Sequence, residues 1–142
     1  MIESTYLAAG HAGIASLADV DRAGITVVGI AGSTTIRAAE RSLGAAAVVA
    51  ATSIAEAMAM MTSGQAQAFA LTHDALPPLQ QELPGSRILA GAFQVTGVAM
   101  AVRKHQPEAL ACVTQFIQSA KASGMLRRAF DDAGLNGLKI AP

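Results

Sequence analysis

The chain has 142 residues, 52% of them hydrophobic, with ten basic side chains balanced by ten acidic ones and one cysteine. That length and apolar content can fill one compact core and exclude a disordered chain, while the balanced charge, with no Lys/Arg cluster, excludes the electrostatic footprint of a nucleic-acid or anionic-membrane binder. The lone Cys112 excludes an internal disulfide and reads as a small buried apolar residue on a helix.

In chain order, Thr5 to Ala9 reads as a short apolar strand ended by the turn-like Gly10-His-Ala-Gly13. Ser16 to Asp19 and Val20 to Gly24 read as a brief helical turn and a loop. Ile25 to Ile30 follows as a strand whose near-continuous apolar character predicts burial on both faces. Next comes Gly32-Ser-Thr-Thr35, a tight turn leading into a helix. The first unpaired N–H donors of that helix, its dipole and the hydroxyls of Ser33, Thr34 and Thr35 make a seat for a carboxylate or phosphate. The same residues also suit a plain structural cap. The helix Ile36 to Leu43 ends at Gly44, and Ala46 to Ala50 reads as the next buried strand, completing a parallel βαβ unit.

From Thr52 the pattern is helical again. Thr52 or Ser53 serves as N-cap, Glu56 as capping-box partner, and Ile54, Met58 and Met61 share one core face. Met58, Met60 and Met61 are read as core residues rather than ligands of a soft metal. Gly64 ends this helix and Gln67 to Leu71 makes another strand. Thr72-His-Asp74 then sits at or just past its C-terminal end, where open parallel sheets bind ligands, so His73 and Asp74 are ligand candidates by position, with a helix cap as the alternative for Asp74. After the Pro84-Gly85 turn, Arg87 to Leu89 and Ala92 to Val102 read as two strands. From Pro107 the chain turns helical. Leu110, Val113, Ile117 and Ala120 form one stripe; beyond Gly124, Leu126, Ala129, Phe130 and Ala133 start a second, and Gly134 to Pro142 is a surface coil.

His11, His73 and His105 are scattered and carry no metal-ligand spacing, so no metal or other cofactor is expected. Neither a nucleophile elbow, nor a phosphate loop, nor a complete dinucleotide fingerprint is present. Adjacent Asp131 and Asp132 would point about 100° apart on a helix, a solvated face rather than an acid/base pair. The chain is therefore read as a binding protein, not an enzyme. Its longest apolar run, Ala45 to Ala51, is too short to cross a bilayer, and Met1-Ile-Glu-Ser-Thr5 lacks the features of a signal peptide, which predicts a cytoplasmic chain as written. Asp74 lies one strand end away from the Ser33 to Thr35 seat, and the pair suits a zwitterion such as an amino acid.

The order of these features resembles the solute-binding proteins of ABC importers, in the family that carries amino acids and related polar solutes. Ser16-Leu-Ala-Asp-Val-Asp21 with Ile25-Thr-Val-Val-Gly29 resembles the short turn and first strand of that family's second lobe. Ala31-Gly-Ser-Thr-Thr35 is similar to its ligand-binding turn. Ser53 to Gly64 with Gln67-Ala-Phe-Ala-Leu-Thr-His-Asp74 resembles the helix and strand that end in a ligand-facing acid. Pro84 to Leu89, Val98 to Lys104 and Ala120 to Gly124 resemble the return strands and C-terminal helices. The resemblance implies an α/β fold: a three-layer arrangement of a parallel-type sheet with flanking helices, the second lobe of a type II periplasmic-binding-protein fold, plus C-terminal helices of the first lobe. It assigns residues 1–102 to the solute-binding lobe with hinge strands and residues 103–142 to the helical segment. It implies a small polar, amino-acid-like solute held by Gly32, Ser33, Thr34, Thr35 and Asp74, a periplasmic location, and importer membrane subunits as partners if the chain is exported.

The chain departs from that pattern in three ways. Most of a first lobe has no counterpart here, nor do the arginine and aromatic wall that such a lobe supplies, and Gln67 stands where the family often has an acid. The apolar stripes of the two C-terminal helices are thus left without a partner, which predicts a homodimer through those helices. The alternative readings are the effector-sensing domain of a transcription regulator and a vestigial module that binds nothing.

Overall fold

The computed structural model describes residues 1–135 and 137–141. The chain divides into two compact units, residues 3–95 and residues 1–2 with 96–142. No helix among the described residues is long and apolar enough to cross a membrane.

In the first unit β2 (Thr26–Ile30), β3 (Ala47–Ala51) and β4 (Ala68–Thr72) run parallel. They are connected through α1 (Thr34–Ser42) and α2 (Ile54–Thr62). Because each connection is a helix that returns the chain to the same end of the sheet, every strand enters in the same direction. The sheet order is β3-β2-β4-β1-β5, where β1 is Ile2–Ala8 and β5 is Arg87–Ile88. β1 lies antiparallel to both its neighbours in this order, so the sheet is mixed rather than wholly parallel. An apolar run carries no signal of direction.

Side chains alternate across this sheet and feed one core on each face. On one face Leu7, Val28 and Phe69 pack with Met58 and Met61 of α2, and with Leu76 and Leu79 of α3 (Leu76–Glu82). On the other, Tyr6, Val27, Ala68 and Ala70 pack with Val20, Leu89 and Ala39 of α1. This is the expected three-layer α/β arrangement. β2 is buried through Val27, Val28 and Gly29, as its unbroken apolar run predicts. β3 is not, and this corrects the sequence reading: it is the last strand of the sheet, with Ala47 and Ala50 exposed. A run of alanine and valine does not distinguish a central strand from an edge. Ile54 is likewise 44% exposed rather than in the core, because it opens α2, while Met58 and Met61 one and two turns later are buried.

Tyr6 stacks on Phe93 with ring centroids 4.3 Å apart. Its hydroxyl is buried with no well-formed hydrogen bond among the described residues. Burial pushes its pKa up to about 12, the neighbouring Ser42 hydroxyl opposing the rise and the Asp21 carboxylate adding to it. A folded-state pKa above the unfolded value of about 10 means that the unfolded chain loses its proton first as pH rises. Stability is therefore whole below pH 10 and falls between pH 10 and 12, by about 3 kcal/mol for a shift of this size. Tyr6→Phe removes an unsatisfied buried group, so we expect it to be neutral or stabilising at pH 7 and to flatten this alkaline loss. Urea midpoints at pH 7 and pH 11.5 for both chains measure it.

The second unit holds α4 (Pro107–Ala122) and α5 (Met125–Asp132), broken by Gly124 at φ +70°. Arg127 pairs with Asp131 at 2.9 Å, donates to the carbonyls of Leu135 and Leu138, and stands over the Phe130 ring. These bonds tie part of the C-terminal coil to α5. Within the tail expected as coil, Asn136 and Pro142 lie outside the described residues. Ala120 is the one buried residue of α4 and α5. Cys112 is exposed, which corrects the expectation of a buried thiol. The apolar stripe of α4 is present, but little in its own unit covers it. The long strand expected over Ala92 to Val102 is also shorter: only β6 (Gln94–Thr96) pairs, with β1.

Candidate functional site

β2 ends at Ile30 because Gly32, at φ +72°, turns the chain through a left-handed conformation that few other residues adopt. Ser33 then takes extended backbone angles as N-cap of α1, and its Oγ accepts the N–H of Ile36 at 3.1 Å. The Ser33 N–H donates to the Ile30 carbonyl, and the Ser33 carbonyl takes the first turn's bond from Arg37. The N–H groups of Thr34 and Thr35 open the helix and have no intrahelical acceptor. Ala31, Gly32 and Thr34 are exposed around them, whereas the Thr35 side chain is 5% exposed and turned into the fold. The donors left without an intrahelical acceptor are thus backbone groups, with Thr34 the exposed hydroxyl beside them.

Two helices start at this end of the sheet, and they differ. At α2, Ser53 Oγ accepts the Glu56 N–H at 3.1 Å, and the Glu56 carboxylate receives both the N–H and the hydroxyl of Thr52, at 2.7 and 2.5 Å. Those bonds hold the Glu56 carboxyl below its usual pKa. The capping box read from the sequence is present, its return bond falling on Thr52 rather than on Ser53. An anion of the protein itself therefore occupies the α2 N-terminus. The first turn of α1 contains no acidic residue, so no acid of its own turn meets its dipole and its open N–H groups.

Asp74 lies in a short 3-10 turn (His73–Ala75) and is exposed. β2 and β4 are parallel neighbours with Gly29 opposite Ala70. The Gly32 to Thr35 turn and the Thr72 to Asp74 turn therefore leave the same end of adjacent strands, about 4.8 Å apart where they pair. The two turns therefore lie at the same end of the sheet. Cavities elsewhere include a groove of about 490 Å³ lined by Ala50, Glu56 and Met60 and an open depression of about 520 Å³ from Met100 to Leu110. Neither includes the turn, and charge rather than concavity marks it out. Among the described residues no group of three or more His, Cys, Asp or Glu could hold a metal ion.

Two polar residues have roles the sequence reading missed. Gln67 accepts the Thr26 N–H on its side-chain oxygen at 2.9 Å and donates to the Gly64 carbonyl at 2.8 Å, locking the end of α2 to the start of β2. An amide can do both at once and a carboxylate cannot donate, which explains what glutamine does at this position. Asp21 receives the N–H groups of Gly44, Ala45 and Ala46, which hold its carboxyl below the usual range. It clamps the α1–β3 connection at the opposite end of the sheet from the candidate site. Neither role has a local sequence signal, since the bond between Gln67 and Thr26 and those between Asp21 and Gly44, Ala45 and Ala46 each span more than twenty residues.

Compared by sequence, the chain matches no protein-family model and no curated protein. Compared by structure, 92% of it superposes on a binding component of an ABC transporter from Wolinella succinogenes complexed with lysine, with a TM-score of 0.73 and 19% identity. It has the periplasmic-binding-protein fold. Equal coverage is found on an ancestral arginine-binding protein bound to glutamine, at TM-score 0.67 and 20% identity, and on a mutant of ArgBP from T. maritima, at 0.66 and 18%. The chain spans 58%, 59% and 57% of the lengths of these three proteins.

Proposed function

We propose that this chain is a solute-binding component of an ABC importer, or a shortened relative of one, and that it takes an amino acid or a similar small polar solute. In this reading the solute carboxylate sits on the Thr34 and Thr35 N–H groups at the turn formed by Gly32 and Ser33, and its ammonium faces Asp74. The chain works in the periplasm beside the importer's membrane subunits and catalyses no reaction. The observation that carries the reading is the contrast between the two helix starts: α2 is closed by Glu56, and α1 is open with no acid in its first turn. Among proteins of this fold, the structures that superpose on the chain include ones complexed with lysine and bound to glutamine.

Thr34→Pro, compared with Thr34→Ala, which lacks the hydroxyl alone, tests this at the level of one N–H. Proline is tolerated at the first position of a helix, and Ser33, at ψ 157°, already has the extended conformation required before it. The variant therefore keeps the fold while deleting one N–H of the seat. With lysine, arginine and glutamine as probes, we expect saturating solute to stabilise the chain by about 2.7 kcal/mol at a hundred times its dissociation constant. Thr34→Pro should weaken binding by about tenfold or more, the worth of one hydrogen bond to a charged group. Thermal shifts and calorimetry read both, and flat melting curves across the probes overturn the proposal.

A further inference from the structure

Between β6 and α4 the chain from Gly97 to Arg103 runs without helix, strand or turn. Val98 and Met100 are 69% and 61% exposed, and no backbone hydrogen bond links Gly97 to Val102 with the other described residues. Arg103, Lys104 and His105 follow, all exposed, with Lys104 and His105 in a turn and His105 at φ +64°. An endopeptidase takes its substrate as an extended chain and pairs with the substrate's own backbone groups, so a bond inside a helix or a paired strand must first be freed. Ahead of Arg103 nothing has to be freed.

We propose that the Arg103–Lys104 peptide bond is a processing site for an endopeptidase of trypsin-like specificity, whose acidic pocket takes the Arg103 guanidinium. Water is the co-reactant. The bond between the Arg103 carbonyl carbon and the Lys104 nitrogen breaks, the carbon gains the hydroxyl and the nitrogen the proton, so that Lys104 becomes an amino terminus. The next bond is less suited, because His105 would stand just past the cut in a left-handed conformation that an extended substrate does not have. The other basic residues are held. Arg37, Arg41 and Lys121 lie in helices, Arg87 lies in β5, and Arg22 donates to the carbonyls of Gly13 and Asp19. The second dibasic pair, Arg127–Arg128, is helical and engaged by Asp131 and by the Ser123, Leu135 and Leu138 carbonyls. A cut at Lys139, in the C-terminal coil, would leave α4 and α5 attached. The cut at Arg103 severs them from a product that keeps its core: the two core clusters lie wholly between Tyr6 and Phe93, and every strand with α1, α2 and α3 precedes Arg103. The inference does not depend on the solute reading.

Limited digestion of the full chain with trypsin, read by mass spectrometry, tests the proposal. We expect residues 1–103 and 104–142 as the first products. The 1–103 product should survive longer digestion and unfold cooperatively in urea. Arg103→Gln should slow the first cut by about tenfold or more, the worth of one hydrogen-bonded charge, whereas Lys104→Gln should leave its rate and position unchanged. Phe69→Ala, which weakens the core, separates a site open in the folded chain from one exposed only by unfolding. Its cut after Arg103 should be no faster, because no unfolding precedes it. A first cut at any other bond, an Arg103→Gln chain cut as fast as the unmodified one, a cut that accelerates in Phe69→Ala, or a 1–103 product that does not stay folded would each overturn it.

Discussion

Phe69→Ala should cost about 3–5 kcal/mol, the usual range for deleting a buried aromatic ring. Phe69 is fully buried in β4, a central strand flanked by β2 and β1, and stands opposite Val28 on one side and Leu7 on the other. Met58 and Met61 of α2 and Leu76 of α3 belong to the same cluster. Relaxation to fill the space would have to move elements fixed by paired strands on both sides, so the cavity stays largely open. Domains of this size have about 5–15 kcal/mol in total, and the loss takes a large share of it. Urea unfolding should show a lower midpoint with an unchanged slope, because the folded state exposes no additional surface. Since β4 leads directly into Asp74, solute binding should decline in step with the folded fraction and not beyond it.

Gly29→Ala should be costly for a different reason. A Cβ at this position would lie 2.9 Å from both the Cβ and Cγ1 of Ile36 and 3.3 Å from its Cδ1. Rotating Ile36 can remove the last two contacts; the first is fixed to the backbone of α1. The helix must therefore rise off β2, at a cost of about 1–3 kcal/mol as in other overpacked cores. Ile36→Ala removes Cγ1 and Cδ1 and keeps Cβ, so combined with Gly29→Ala it should relieve part of the strain. The double variant should then be more stable than the sum of the single effects predicts. Because Ile36 belongs to the first turn of α1, the same displacement moves the Thr34 and Thr35 N–H groups. Gly29→Ala should thus weaken solute binding even among molecules that remain folded, the reverse of Phe69→Ala, and calorimetry on the folded fraction separates the two cases.

The strand-turn-helix at Gly32 was legible because its signals are local. A β-branched run, a glycine and a capping serine each act on backbone angles within a few residues. The same holds for the helix from Ile54 to Gly64 and for the βαβ order. Strand neighbours were harder to read. The alanine-rich β3 became an edge strand, and Val98 to Val102 lost its pairing, because the residues that would cover a strand are remote in sequence and leave no trace within it. Within the site, composition pointed to three hydroxyls, yet burial removed Thr35 and capping occupied Ser33, leaving Thr34 as the exposed hydroxyl.

By itself the sequence determined the strand-helix order from β2 to β4, the helices from Pro107 onward and the position of Asp74 at a strand end, since local backbone preference and side-chain periodicity suffice for these. Only the tertiary structure decided that β1 runs antiparallel, that Gln67 and Asp21 act as clamps, and that the Gly97 to Val102 segment stands open. Each of these depends on which distant residue supplies the partner of a backbone group, and that is settled by how the layers close on one another.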